Sequence, residues 1–160
     1  MSSKKKALII TYYWPPAGGS GVQRWLKFVK YLRDFDIEPI IYTVKNPSYP
    51  ILDDSLLSEI PEGIEIVKQP IFEPNSLLSI FGSKSKNESA GFLDPNPSFL
   101  GKIMQYIRAN YFIPDARKYW IKPSVRFLSN YIEKNAVDVV ITTGPPHSLQ
   151  LIGLQLKKQK

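Results

Sequence analysis

Cysteine is absent from this 160-residue chain, and histidine occurs once, at His147. The first absence excludes disulfides and thiolate metal sites. The second excludes a histidine metal cluster built within one chain, so no metal and no resident cofactor is expected. A cysteine-free composition suits a reducing cytosol. Long hydrophobic runs are missing as well. The apolar stretch after Lys4-Lys5-Lys6 stops at Tyr12 and meets two prolines. That is too short for the apolar region of a signal peptide, and no other run is long enough to cross a bilayer.

What is present is 43% hydrophobic and 22% charged residues, a composition that fits one packed domain rather than a disordered chain. The net charge of +7 favours anionic partners such as nucleic acid, acidic headgroups or phosphorylated small molecules, and solubility alone explains it equally well. The basic residues are scattered and no nucleic-acid recognition motif appears, so nucleic acid is not expected as a partner.

Hydrophobic periodicity divides the chain into alternating elements. Ala7 to Thr11 reads as a short buried strand. Val22, Trp25, Leu26, Val29 and Leu32 then recur on one face of a helix. Pro39 to Val44 is a second buried strand, and 45–62 is a loop with one helical turn near Asp54–Glu59. Ile64 to Val67 is a third strand. The polar, Gly/Ser/Asn/Pro-rich segment 82–98 is expected to be a mobile loop. Leu100 to Tyr111 fits a helix, as do Val125, Leu128 and Ile132. Val137 to Thr142 is a fourth strand, Gly144-Pro145-Pro146 a turn, and His147 to Lys158 a last helix. Strands alternating with helices imply an α/β fold: a parallel sheet with helices on both faces. A further strand would normally follow the last helix, so the sequence reads as a piece of something longer, with the fourth strand at a sheet margin that invites self-association.

The most unusual stretch joins the first strand to the first helix: TYYWPPAGGSGVQRW, residues 11–25. A glycine-rich strand-to-helix turn is where phosphates bind, because backbone N–H groups and the helix dipole favour an anion there. The dinucleotide fingerprint begins at Gly19-Ser20-Gly21 but finds Arg24 where its third glycine belongs, and lacks the later acidic residue. The phosphate-binding loop needs Gly-Lys-Ser/Thr, which is absent. A nucleophile elbow needs a different spacing. The alternative reading of the same glycines is a tight turn that packs the helix on the sheet.

The combination Tyr-Tyr-Trp-Pro-Pro, Gly-Gly-Ser-Gly-Val-Gln-Arg resembles the N-terminal domain of GT-B glycosyltransferases of the family-4-like (group 1) type. FIPDARKYW (112–120) looks like the PDxxxxW segment of a bacterial subgroup, and DVVITTGPPHSLQLIGLQLKK (138–158) is similar to its late strand, Pro-Pro turn and helix. The resemblance spans the chain apart from the region near 82–98.

It implies a Rossmann-like domain forming the N-terminal half of a GT-B fold, which mainly holds the acceptor. The donor-binding C-terminal domain would lie outside residues 1–160, and these residues alone would transfer no sugar. The implied reaction moves a sugar from a nucleotide-sugar donor to a glycan or lipid-linked acceptor, with retention, in cell-surface polysaccharide or glycolipid synthesis. The implied place is the cytoplasm, peripherally on the inner membrane. On this resemblance Gly18, Gly19, Ser20 and Gly21 face the donor diphosphate. Arg24 either assists or is simply solvated. Tyr13, Trp14, Thr143 and Gly144 belong to the acceptor side, although any one aromatic could equally pack beneath the loop. His147 follows a strand end on the ligand side of the sheet and is a candidate general base, but the functional histidine of some relatives would fall nearer Thr142 or Thr143. Asp115, Arg117 and Trp120 sit in the PDARKYW segment, where the aspartate suits a helix cap better than catalysis. The helix at 100–111, with Lys102 and Arg108, either touches anionic lipid or presents its apolar stripe to the core. The competing class is a non-catalytic nucleotide- or nucleic-acid-binding module.

Overall fold

The computed structural model describes residues 4–73, 103, 106 and 110–159. The loop expected at 82–98 lies outside the described residues, as does the helix expected at 100–111 apart from isolated positions. Among the described residues, four strands form one all-parallel sheet in the order β3-β2-β1-β4: β1 (Lys5–Ile10), β2 (Ile37–Val44), β3 (Glu65–Gln69) and β4 (Val139–Thr142). The helices whose full extent is described are α1 (Ser20–Leu32), α2 (Ile121–Lys134) and α3 (Ser148–Lys158). A 3₁₀ turn at Asp54–Glu59 occupies the place read from sequence for a helical turn. The arrangement is α/β and Rossmann-like, with helices on both faces.

The apolar runs of β1 and β2 are buried on both faces because both faces are covered. Leu8, Ile10, Ile40 and Tyr42 point to the side of α2 and α3, where Val125, Leu128, Ile132, Leu149 and Ile152 meet them. Ile9 and Ile41 point the other way, to Val22, Leu26 and Val29 of α1 and to Leu56 of the 3₁₀ turn. This alternation is the period-two consequence of the pleat. The split of helices between faces follows from handedness. Crossovers between parallel strands are right-handed, so the sheet grows one way with α1 on one face and the other way with α2 on the opposite face. That reversal lies between β1 and β4. Pro39 fits into β2 opposite Ala7 because pairing with β3 begins only at Ile40.

Among the described residues β4 is an edge strand, as expected. Val139 is 48% exposed, and a groove of about 410 Å³ runs between β4 and α3, lined in part by Val140, Thr142, Gly153 and Leu154.

The core holds polar groups that make stability depend on alkalinity. The Tyr42 hydroxyl donates to Ser124 Oγ at 2.8 Å from a fully buried position. Burial pushes the phenol from 10.0 up to about 12, against a smaller opposite effect of Ser124. Below pH 10 the unfolded and folded phenols are both protonated. Between about 10 and 12 only the unfolded one ionises, so stability falls as pH rises, by about 2–3 kcal/mol for this group. Chemical denaturation from pH 8 to 12 should show that decline, and Tyr42→Phe should make it less steep without abolishing it, because burial raises the Tyr12, Tyr49 and Tyr131 phenols too, while costing about 1 kcal/mol at neutral pH. An equally steep decline in the phenylalanine variant would dismiss Tyr42 as the source.

Candidate functional site at the C-terminal edge of the sheet

The two special turns leave neighbouring strand ends. Ile10 is in register with Thr142, Thr143 N donates to Ile10 O at 3.0 Å, and the Thr143 hydroxyl meets Thr11 Oγ1 at 3.1 Å. Residues 11–19 and 143–147 therefore rise from adjacent roots at one end of the sheet. Gly19 and His147 lie on the same side of the domain, at the topological switch point where α/β sheets bind ligands.

Within the first turn the glycines have different duties. Gly19 adopts φ 107°, ψ 163°, backbone that only glycine occupies readily, and forms the N-cap of α1. Its carbonyl accepts from Val22 N at 3.1 Å and Gln23 N at 3.3 Å. Gly18 lies against the 51–53 segment, where a Cβ would come within 2.9 Å of Ile51 Cγ2, and its N–H donates to Ile51 O at 3.0 Å. Gly21 stands in open space. No side chain caps α1 and its first turn carries no acidic residue. The N–H groups of Ser20 and Gly21 have no acceptor among the described residues, and Gly19, Ser20, Gly21 and Arg24 are all exposed. These are the properties of an anion cradle.

Gly19→Val would force a β-branched residue into a glycine conformation and is expected to cost about 1–3 kcal/mol of folding stability.

The aromatics divide. Trp14 is 1% exposed and packs with Ile9, Ala17 and Val22 beneath the lip, so its placement on the acceptor side is corrected: its ring has no face to offer a sugar. Thr143 is likewise buried and engaged at the strand ends. Tyr13 is half-buried and stands edge-on to Tyr12, with ring centroids 4.9 Å apart, and 5.9 Å from the ring of Tyr49. Gly144 and His147 are exposed. Among the described residues no group hydrogen-bonds the imidazole of His147, so the geometry supplies no carboxylate to orient it as a base.

Asp115, which bonds the residue after His147, is committed elsewhere. Its Oδ2 accepts from Ser148 N at 2.8 Å, and its Oδ1 from Ser148 Oγ at 2.7 Å and Arg117 N at 2.8 Å. Asp115 does cap a helix, but α3, 33 residues further on, in addition to its own turn. The PDARKYW segment is thereby fastened to the Gly-Pro-Pro turn.

Arg117, in the same segment, joins a buried polar cluster that sequence reasoning missed. Its Nε lies 2.9 Å from Glu73 Oε1, and its guanidinium sits 4.8 Å from the centre of the Tyr12 ring. The Tyr12 hydroxyl donates to Glu73 Oε1 at 2.7 Å. Burial drives the Tyr12 phenol well above its usual range, so it stays a neutral donor. Glu73 is held over Tyr12 because Asn46, just after β2, pairs with both the N–H and the C=O of Ile71, at 2.9 and 3.0 Å. The available sequence signal is slight: a lone carboxylate between apolar residues and a proline, in PIFEP.

Among the described residues no group of His, Asp and Glu is placed to hold a metal ion, and no helix is long and apolar enough to cross a membrane. No protein-family model, no curated protein and no solved structure matches the chain.

Proposed function

We propose that this chain is the acceptor-side domain of a GT-B glycosyltransferase, which moves a sugar from a nucleotide-sugar donor to a glycan or lipid-linked acceptor at the cytoplasmic side of a membrane. One observation carries the reading. The uncapped, acid-free N-terminus of α1 opens at the switch point of a parallel sheet, beside the turn that bears His147. Ser20 N–H and Gly21 N–H would receive the donor's diphosphate there, and Arg24, one turn along the exposed side, would add charge. Tyr13 is the one aromatic of the opening triplet with surface left for an acceptor. The Tyr12–Glu73–Arg117 cluster and the Asp115 cap hold the surrounding segments in place.

Gly21 allows a clean test. Its backbone is ordinary and a new side chain there meets nothing. Gly21→Glu puts a carboxylate in the first turn of α1, which favours the helix by about 1 kcal/mol through propensity and dipole together. The same carboxylate repels a phosphate. The expected result is an unchanged or higher melting temperature, with affinity for a nucleoside diphosphate or inorganic pyrophosphate falling at least about tenfold, since two or more charges now repel at close range. Amide NMR of the wild-type chain should locate the anion at Ser20 and Gly21. Shifts scattered over surface lysines, or binding indifferent to Gly21→Glu, would remove the donor cradle. Binding that survives in an intact enzyme unable to transfer sugar would favour a non-catalytic nucleotide-binding module.

A further inference from the structure

Helix α1 has an outer side that the fold leaves uncovered. Val22, Leu26 and Val29 are buried against the sheet, yet Phe28 and Tyr31 are each 52% exposed on the opposite side. Phe35, in the turn that continues the helix, is 73% exposed and extends the same stripe. Three large aromatics at i, i+3 and i+7 on a solvent side are not needed for folding, and contiguous exposed apolar surface marks an interaction site.

The charges around the stripe select the partner. Helix α1 carries Arg24, Lys27 and Lys30 and no acidic residue. Arg24 lies within the stripe by helical spacing, and Lys27 and Lys30 flank it. The Lys30 ammonium lies 5.7 Å from the centre of the Tyr31 ring. At the far end, Lys5 N donates to Asp36 O at 3.0 Å, which brings exposed Lys4 and Lys5 beside Phe35. The acidic groups nearby are Asp34 and Asp36 in the turn and Glu59, which meets Lys27 at 2.5 Å in an exposed pair. Aromatic rings in a row, with long cationic side chains able to extend past them, match the boundary of an anionic bilayer: rings at headgroup depth, cations on the phosphates.

We propose that the outer side of α1, through Phe28, Tyr31 and Phe35 with Arg24, Lys27 and Lys30, is a peripheral docking surface for anionic lipid bilayers. It gives the membrane contact read from sequence at 100–111 a different location, on described residues. The surface works without nucleotide, and Lys27, Lys30 and the three aromatics lie outside the donor cradle, with which it shares Arg24 alone, so its failure and that of the cradle are separable. Docked this way, the helix lies along the membrane while its N-terminus stays at the sheet edge that holds the cleft.

The test is co-sedimentation of the whole chain with vesicles of phosphatidylglycerol and phosphatidylcholine, against phosphatidylcholine alone, with no nucleotide present. Binding to the anionic vesicles alone is expected, weakened by raised salt. Arg24→Gln/Lys27→Gln/Lys30→Gln should lower the affinity about a hundredfold. Phe28→Ser/Tyr31→Ser/Phe35→Ser should abolish binding, with the circular dichroism of a folded chain retained at the assay temperature and melting lowered only by the loss of the Trp25–Phe28 contact. Trp25 gives an independent signal. Its ring lies 5.4 Å from that of Phe28, whereas Trp14 and Trp120 are buried, so docking should blue-shift the emission through Trp25. No sedimentation with anionic vesicles would overturn the proposal. So would binding retained in full by the serine variant, which would reduce it to unspecific charge attraction. A chain that dimerises through this stripe and ignores vesicles would make it a protein interface instead, and the proposal would again fall.

Discussion

Truncating Trp120 to alanine should destabilise the fold by about 3–5 kcal/mol, a large share of what a single domain possesses. Trp120 has no exposed surface and lies stacked on Tyr42, centroids 5.2 Å apart and rings 12° from parallel. It sits immediately before α2, so its indole fills the space between the PDARKYW segment and the sheet. Alanine leaves a cavity there that close-packed neighbours fill only in part. The indole Nε1 has no hydrogen-bond partner among the described residues. Trp120→Phe therefore loses volume without losing a hydrogen bond, and should cost only about 1–2 kcal/mol. Urea unfolding of the two variants measures the contrast. Equal losses would show that a phenyl ring recovers none of the indole's packing.

Replacing Arg117 by methionine should cost about 3 kcal/mol, near the lower end for breaking a buried ion pair because the arginine keeps some contact with water. The Glu73 side chain is only 7% exposed, that of Arg117 23%. Removing the guanidinium takes one charged partner from the carboxylate and strips the Tyr12 ring of its cation. Methionine keeps much of the volume, so the loss is electrostatic rather than steric. Arg117→Met combined with Glu73→Met should recover part of the loss, since an apolar pair needs no counter-charge, although the Tyr12 hydroxyl then gives up its acceptor. A double-mutant cycle by denaturant unfolding reads the coupling directly. Strictly additive losses would mean that the two residues stabilise the fold independently.

Periodicity alone revealed the elements that bury one face. Val22, Leu26 and Val29 mark α1, and Val125, Leu128 and Ile132 mark α2, because each recurs with the helical repeat against a sheet. The apolar runs of β1 and β2 announced strands covered on both sides. The adjacency of β1 and β4, from whose ends the two special turns depart, was legible too, because a strand order that reverses beside β1 leaves little freedom. Burial within the lip was not legible. Trp14 and Tyr13 are adjacent and chemically alike, and only the path of the chain around Ala17 sends one into the core. The Arg117–Glu73 pair was hidden for another reason: 44 residues separate the partners, and neither lies in a periodic element. The Asp115 cap was half legible, since aspartate after proline announces a helix start without saying which helix.

The central strand has a partner that arrives late. β1 forms its second edge with β4, and Lys6 N meets Asp138 Oδ2 across 132 positions of sequence. During synthesis at roughly 5–20 residues per second, that edge waits on the order of ten seconds for its neighbour to leave the ribosome. For that interval Ala7, Leu8, Ile9 and Ile10 present open backbone groups between apolar side chains, the kind of surface that captures foreign strands. β2 can join early, as it follows within one short crossover, whereas the other side of β1 stays open until Val139 to Thr142 have emerged.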